Sequence, residues 1–151
     1  MSQLPTLPRL SSFPPAAQAA HQLINDYYHT FNSGERGRFL ELLTEDVVHE
    51  LNQGAREVGK PLFAAFLTRM DLCYRERITE VRITVSSDGT HAAAEYVVHG
   101  SYMAQDEGLP PANGQTYHLP GGAFFDLRGG KIGRVSNYYN LTEWLRQIGV
   151  G

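Results

Sequence analysis

Residues 115–139, QTYHLPGGAFFDLRGGKIGRVSNYY, decide the fold class. Arg128-Gly129-Gly130 is typical of a tight hairpin turn, and the β-capable residues on either side predict two antiparallel strands. The second strand runs from Lys131 to Tyr139. Pro120-Gly121-Gly122 interrupts the first strand, where we expect a bulge or a sharp bend, because glycine weakens a strand unless it serves such a purpose.

Two further strands are predicted upstream of this hairpin. Residues 77–85 alternate imperfectly between apolar and polar side chains, and residues 92–103 form a long β-capable run. A turn at residues 86–89 joins them. The segment 105–114 is a polar loop in which Asp106 and Glu107 are expected to be solvated, and residues 141–148 predict a short closing helix.

The first half of the domain is helical. Apolar residues recur at helical spacing from Ala20 to Phe31, and residues 32–34 (Asn-Ser-Gly) end that helix. A second short helix covers residues 39–43 and is broken at residues 44–46. Residues 47–51 then alternate like a half-buried strand, and Pro61 suits the first turn of a third helix.

This order of elements predicts an α+β fold, with three N-terminal helices on one face of a curved, mainly antiparallel sheet. Such curvature makes the domain cone-shaped and barrel-like and leaves a ligand pocket between helices and sheet. Four of the eight prolines lie in residues 1–15, which we therefore interpret as an irregular tail. Residues 16–151 form a single domain.

Composition excludes several classes of function. The chain has 151 residues, a net charge of −3 and one cysteine, Cys73. This charge gives no general attraction for nucleic acid or an anionic membrane, and no apolar run is long enough to span a bilayer. No phosphate-binding loop or nucleophile elbow is present. We expect a cytoplasmic protein without a cofactor.

A metal site is the weaker alternative for the histidines. The six histidines are dispersed rather than paired at metal-ligand spacing. His49, His99 and His118 all lie on predicted strands and could converge in space. We nevertheless predict no metal.

Strand alternation selects the site residues. Val47, His49 and Leu51 share one face of their strand, and Val135, Asn137 and Tyr139 share one face of theirs. If the valines face the core, an imidazole and an amide point into the pocket.

Tyr27 joins these groups from the apolar stripe of the first helix. A buried histidine can act as a general base near neutral pH, and tyrosine and asparagine can hydrogen-bond a carbonyl or a water. We predict His49, Asn137 and Tyr27 as catalytic residues, although His49 and Tyr27 would also suit ordinary core packing.

The substrate-binding residues are expected to be apolar or phenolic. They are Tyr139, Tyr102, Leu51, Met70 and Phe125. Tyr96 and Tyr102 share a strand face and line either the pocket or a subunit interface. Glu95 and His99 occupy the opposite, outer face.

Several segments resemble the nuclear transport factor 2-like fold. They are Asn32-Ser33-Gly34, the strand entry at residues 43–48, Gly59 and residues 130–132. Residues 49–59 and 106–111 are similar to ketosteroid isomerase-related, SnoaL-like proteins. The resemblance covers about residues 16–149 and implies a homodimer that binds a small apolar, polyketide-like or steroid-like molecule.

The isomerases supply the first set of matching positions. Their helix tyrosine matches Tyr27, whereas their aspartate base matches Leu51 and their second aspartate matches Ala123. The resemblance therefore does not imply classical isomerase chemistry, because leucine and alanine transfer no proton.

The other relatives match polar positions. The tyrosine, asparagine and aspartate of the epoxide hydrolases match His49, Leu51 and Asn137, and the pocket histidine of the cyclases matches Tyr102. Together with the residue pattern, this favours an isomerase, cyclase or hydrolase with His49 as base or water activator. The alternatives are a non-catalytic small-molecule binder on the same fold and an interaction domain.

Overall fold

A computed structural model describes residues 12–150 of the chain. It confirms the α+β class, with three N-terminal helices and one C-terminal helix packed against a sheet. The elements are α1 (Pro15–Ser33), α2 (Arg36–Glu41), β1 (Leu43–Glu50), β2 (Arg56–Val58), α3 (Lys60–Cys73), β3 (Tyr74–Val85), β4 (His91–Tyr102), β5 (Gln115–Arg128), β6 (Lys131–Tyr139) and α4 (Leu141–Ile148).

The predicted irregular tail lies mostly outside the described residues, which begin at Ser12. Its last residue, Pro15, is the first residue of α1, where a missing backbone N–H costs nothing. No helix within residues 12–150 is long and apolar enough to cross a membrane.

One six-stranded sheet, in the order β2-β1-β6-β5-β4-β3, forms the body of the fold. All neighbouring strands are antiparallel except β1 and β6, which are parallel. The sheet is curved but unclosed, because its edge strands β2 and β3 do not pair. Its curvature brings β1 and β3, which three strands separate, to opposite sides of the concave face.

The start of β1 differs from the prediction. Thr44–Asp46 was expected to break a helix, but the strand already begins at Leu43, which is fully buried and pairs with Ile132. A register shift follows before Val48. The short strand β2 was not predicted, and it pairs with the second half of β1.

The expected bulge at Pro120–Gly122 is wrong. The β4–β5 register is unbroken there, with Tyr96 opposite Gly121. A Cβ on Gly121 would lie 2.7 Å from the Tyr96 ring, so this glycine makes room for an aromatic side chain. Irregular pairing occurs elsewhere: the β5–β6 register shifts after Asp126, and the β3–β4 register shifts after Thr79, where Glu80 has a φ of 54°.

The core has two parts. The larger lies between α1, α2, α3 and the concave face, and includes Ile24, Phe39 and Phe63. The smaller lies beneath α4 and is built around Tyr74, Tyr102, Tyr117 and Ile148. The space between them holds the cavity described next.

Candidate functional site

A cavity of about 540 Å³ opens between the helices and the concave face of the sheet. A volume in this range suits a small organic ligand. Its lining is mainly aromatic and aliphatic, and a few polar groups reach it from separate strands. Those discussed below are His49 from β1, Glu76 from β3, Tyr96 from β4, and Asn137 and Tyr139 from β6.

His49 forms one wall of the cavity with two phenylalanines of α3. Its side chain is 2% exposed and stacks on Phe63, with ring centroids 4.2 Å apart, while Phe66 packs against it edge-on at 4.7 Å. Its Nδ1 is buried and has no hydrogen-bond partner among residues 12–150. Burial lowers the pKa of His49 to about 4, because the charged imidazolium would lose its hydration. The ring is therefore neutral at neutral pH.

Asn137 lies on the floor of the cavity. The Tyr96 hydroxyl donates to its Oδ1 at 3.3 Å, an arrangement that assigns the amide nitrogen as the free donor. The backbone carbonyl of Asn137 accepts a 2.8 Å hydrogen bond from the Asn52 side chain. Gln53 donates in the same way to the carbonyl of Tyr139. The loop after β1 thus fixes the end of β6, which carries both cavity residues.

Two tyrosines of α1 line the same cavity. Tyr27 packs on Phe39 and Phe125, and burial raises its pKa, so its hydroxyl stays protonated. Burial also raises the pKa of Tyr28, whose hydroxyl is buried and has no hydrogen-bond partner in the described part of the chain. Tyr28 was not among the predicted site residues, although the same helical stripe contains it.

Glu76 is the main site residue that the sequence prediction missed. It lines the cavity from β3, and its Oε2 accepts a 2.5 Å hydrogen bond from the Tyr117 hydroxyl. Burial raises the pKa of Glu76, although the hydrogen bond from Tyr117 opposes the shift. Residues two apart in a strand share a face, so the apolar, inward Ile78 would have placed Glu76 inward as well. The predicted strand started at residue 77, one residue too late to include Glu76.

The end of the cavity near α4 carries a second acid. Tyr74 donates to Asp106 Oδ2 at 2.6 Å, and Arg69 Nε lies 3.8 Å from Oδ1. The Asp106 side chain is only 14% exposed, so the expectation of a solvated pair holds for Glu107 but not for Asp106. Asp106 anchors its loop against the end of α3 and the start of β3.

The structure brings most of the predicted residues together but not all of them. Leu51, Met70 and Tyr139 line the cavity with the three predicted catalytic residues. Tyr102 does not, because its hydroxyl donates to the Pro110 carbonyl at 2.8 Å inside the smaller core. Phe125 is fully buried behind the α1 tyrosines and also lies outside the lining.

The three strand histidines do not converge. His99 and His118 stack on the outer face of the sheet, with ring centroids 4.5 Å apart. Their ligand atoms and the Glu80 carboxylate lie within 4.8 Å of one another, and all three side chains are exposed. His49 lies on the opposite, concave face.

The family model of the SnoaL-like domain matches residues 24–135. This match spans the second half of α1, the helices α2 and α3, the strands β1 to β5 and the first half of β6. A comparison with curated proteins finds no match.

Two crystal structures are similar in both sequence and fold. One, from Xanthomonas campestris pv. campestris, is described as a candidate polyketide cyclase; it is 54% identical, with 89% of this chain and 99% of that chain covered and a TM-score of 0.87. The other, from Pseudomonas putida KT2440, has the same description; it is 55% identical, with 86% and 98% covered and a TM-score of 0.85.

More distant structures share the fold alone. A structure from Mycobacterium tuberculosis, described as an LEH-like epoxide hydrolase, is 15% identical. The alignment covers 89% of this chain and 92% of that chain, with a TM-score of 0.73. The chain belongs to the SnoaL-like family of the nuclear transport factor 2-like superfamily.

Proposed function

We propose that this protein is a cofactor-free isomerase, cyclase or hydrolase that acts on a small, mainly apolar, oxygenated molecule. His49 is the base, or the activator of a water. One observation carries the proposal: a neutral imidazole, whose Nδ1 has no hydrogen-bond partner within residues 12–150, borders an aromatic cavity of ligand size.

The surroundings of His49 suit proton transfer. Phe63 and Phe66 exclude water from the ring, so the base keeps its lone pair without competing hydrogen bonds. The Asn137 amide is free to donate to an oxygen of the ligand, because Tyr96 already occupies its Oδ1. The Tyr27 phenol adds a second neutral donor.

The relatives support an oxygenated ligand. Two proteins that share more than half of this sequence are described as candidate polyketide cyclases. The apolar lining and the neutral hydrogen-bonding groups suit a polyketide-like or steroid-like molecule without a charge at its buried end.

A non-catalytic binding domain is the second candidate function. Leu51 lines the cavity at the position that matches the base of the isomerases, and Ala123, at the match of their second acid, is buried. A binder would return its ligand chemically unchanged after long incubation, whereas an enzyme would not.

A generic proton-transfer probe tests the enzymatic proposal without knowledge of the natural substrate. The probe 5-nitrobenzisoxazole is small and apolar, and loss of its C–H proton to a base opens the ring to a coloured phenolate. We expect His49→Gln to slow this reaction about 100-fold or more, the usual contribution of a positioned general base. His91→Gln is the matched control, because His91 is exposed at the start of β4.

The pH profile provides a second readout. The unprotonated imidazole is the base and the pKa of His49 is about 4. The wild-type rate should therefore increase as the pH is raised through about 4. Full turnover by His49→Gln would contradict the role of His49, and binding of the probe without turnover by the wild type would favour the binding domain.

A further inference from the structure

Glu76, Gly100 and Tyr117 form one row across three strands. Glu76 of β3 is opposite Gly100 of β4, and Gly100 is opposite Tyr117 of β5. Tyr117 is therefore two strands away from Glu76, yet its hydroxyl donates to Glu76 Oε2. Its side chain must cross the middle strand to do so.

Gly100 makes this crossing possible. A Cβ at Gly100 would lie 2.1 Å from the Tyr117 ring, so only glycine leaves room for the ring over β4. Trp144 of α4 packs edge-on against the Tyr117 ring, with ring centroids 6.0 Å apart. Gly100 and Trp144 thus fix the Tyr117 ring, and its hydroxyl fixes a carboxyl group that lines the cavity.

Glu76 and His49 reach the cavity from opposite walls. Their strands are separated by β6, β5 and β4, and both side chains line the same space. A ligand in the cavity therefore lies between them, with the Asn137 amide on the floor. Two groups that can exchange protons would then address different atoms of one ligand.

Glu76 has no ion-pair partner within the described part of the chain. The groups that act on it electrostatically are Tyr117, Tyr96, Tyr139 and Arg36. Burial outweighs Arg36 and Tyr117, and it raises the pKa of the carboxyl. Because Oε2 accepts the hydrogen bond from Tyr117, Oε1 is the oxygen left to meet a ligand.

We propose that Glu76 is the second catalytic residue of this site, a neutral acid that donates its proton to an oxygen of the ligand, and that Tyr117 is its positioning residue. This proposal rests on the proposed function. It also restricts the ligand: the atom that meets Glu76 is an uncharged acceptor, such as a carbonyl or ether oxygen.

The step balances with the two residues alone. A nitrogen of neutral His49 takes a proton from the ligand, and the electron pair left behind moves towards the ligand oxygen. Glu76 Oε1 gives its proton to that oxygen. The products are an imidazolium and a carboxylate, the latter held by the Tyr117 hydroxyl. In an isomerisation, the imidazolium then gives its proton to a different atom of the ligand and the ligand oxygen returns its proton to Glu76, so both residues are restored as the product forms.

Two probes that differ in their leaving oxygen test this role. The nitro group of 5-nitrobenzisoxazole stabilises the leaving phenolate, whereas unsubstituted 1,2-benzisoxazole needs more help from an acid. Since a positioned acid contributes about 10²–10⁴-fold, Glu76→Gln should slow the unsubstituted probe about tenfold more than the nitro probe. Glu95→Gln, on the outer face of the sheet, is the control and should slow neither.

The variant Tyr117→Phe tests whether Tyr117 positions the Glu76 carboxyl or only contributes to packing. Its hydroxyl favours the carboxylate form, so its loss should raise the pKa of Glu76 and move the alkaline limb of the pH profile to higher pH. A change in packing alone would not move that limb. NMR of protein labelled with ¹³C at the glutamate carboxyls should show one carboxyl that ionises later than the others and is absent in Glu76→Gln.

The outcomes separate the two proposals. Equal slowing of both probes by Glu76→Gln, or a Glu76 carboxyl that ionises with the exposed glutamates, overturns the acid role and leaves His49 as base. A wild-type chain that turns over neither probe contradicts the proposed function itself, and the acid role falls with it.

Discussion

The two walls of the cavity place a titratable group in the interior by different means. On the β1 wall, His49 lies between Phe63 and Phe66, and its Nδ1 makes no hydrogen bond to any residue that the structure describes. On the β3 wall, Glu76 is held by the Tyr117 hydroxyl at 2.5 Å. Burial shifts both groups towards their uncharged forms, because it lowers the pKa of an imidazole and raises that of a carboxyl. A base and an acid can therefore face each other with less tendency to form an ion pair.

The largest expected effect tests the packing of the β1 wall. Phe63 is 2% exposed and contacts both His49 and Phe39. Phe63→Ala should lower the free energy of unfolding by about 3–5 kcal/mol, as is typical for a buried phenylalanine. Urea unfolding measures this loss. Leu62→Ala is the neighbouring control, because Leu62 is 49% exposed and should change stability by about 0.5 kcal/mol or less.

The second prediction concerns the pH dependence that His49 gives to stability. Between its ordinary pKa of 6.5 and its folded value of about 4, the unfolded chain binds the extra proton, so stability falls as pH falls through this window. The expected loss is about 3 kcal/mol. Urea unfolding of the wild type and His49→Gln at several pH values measures it. A difference between the two proteins that does not vary with pH would contradict this account of the β1 wall.

The third prediction tests the support of the β3 wall. Gly100→Ala places a Cβ against the Tyr117 ring, which has little room to move between β4 and Trp144. Overpacking of this kind should lower the free energy of unfolding by about 1–3 kcal/mol. Gly37→Ala is the matched control, since a Cβ at Gly37 in α2 meets nothing within 4 Å. If both alanines have the same effect, the close approach at Gly100 does not constrain Tyr117.

The smallest expected effect concerns the helix that covers the β3 wall. The Asn140 side chain accepts a 3.0 Å hydrogen bond from the backbone N–H of Glu143 and so caps α4, which carries Trp144. Asn140→Ala should cost about 1 kcal/mol, measured by thermal unfolding. Thr142→Ala, on the exposed side of the same turn, should cost less. An equal loss in both variants would argue against a specific contribution of the cap.

Alternation along a single strand was enough to predict much of the site. The bounds of β6 and α4 agree with the sequence pattern, and His49, Asn137 and Tyr139 line the cavity as expected. Each of these inferences needs only the period of one element. The fold class followed in the same way, from helices placed before hairpin-linked strands.

Alternation gives the face of a strand but not the position along that face. Tyr102 and Phe125 do point inward, yet one lies in the smaller core and the other behind α1. The role of Glu76 depends on Tyr117, two strands away, and on the space above Gly100. Such a relationship exists only after the strands have paired, so no local pattern contains it.

The parallel pairing of β1 with β6 also determines when the cavity can form. The strands β3 to β6 follow one another in sequence and in the sheet, so the β3 wall is built from contacts between sequence neighbours. His49 instead pairs with Val135, far along the chain, and closing so long a loop is slow. We therefore expect the carboxyl side of the cavity to fold first. During synthesis, the imidazole side cannot be completed until the last strand has left the ribosome.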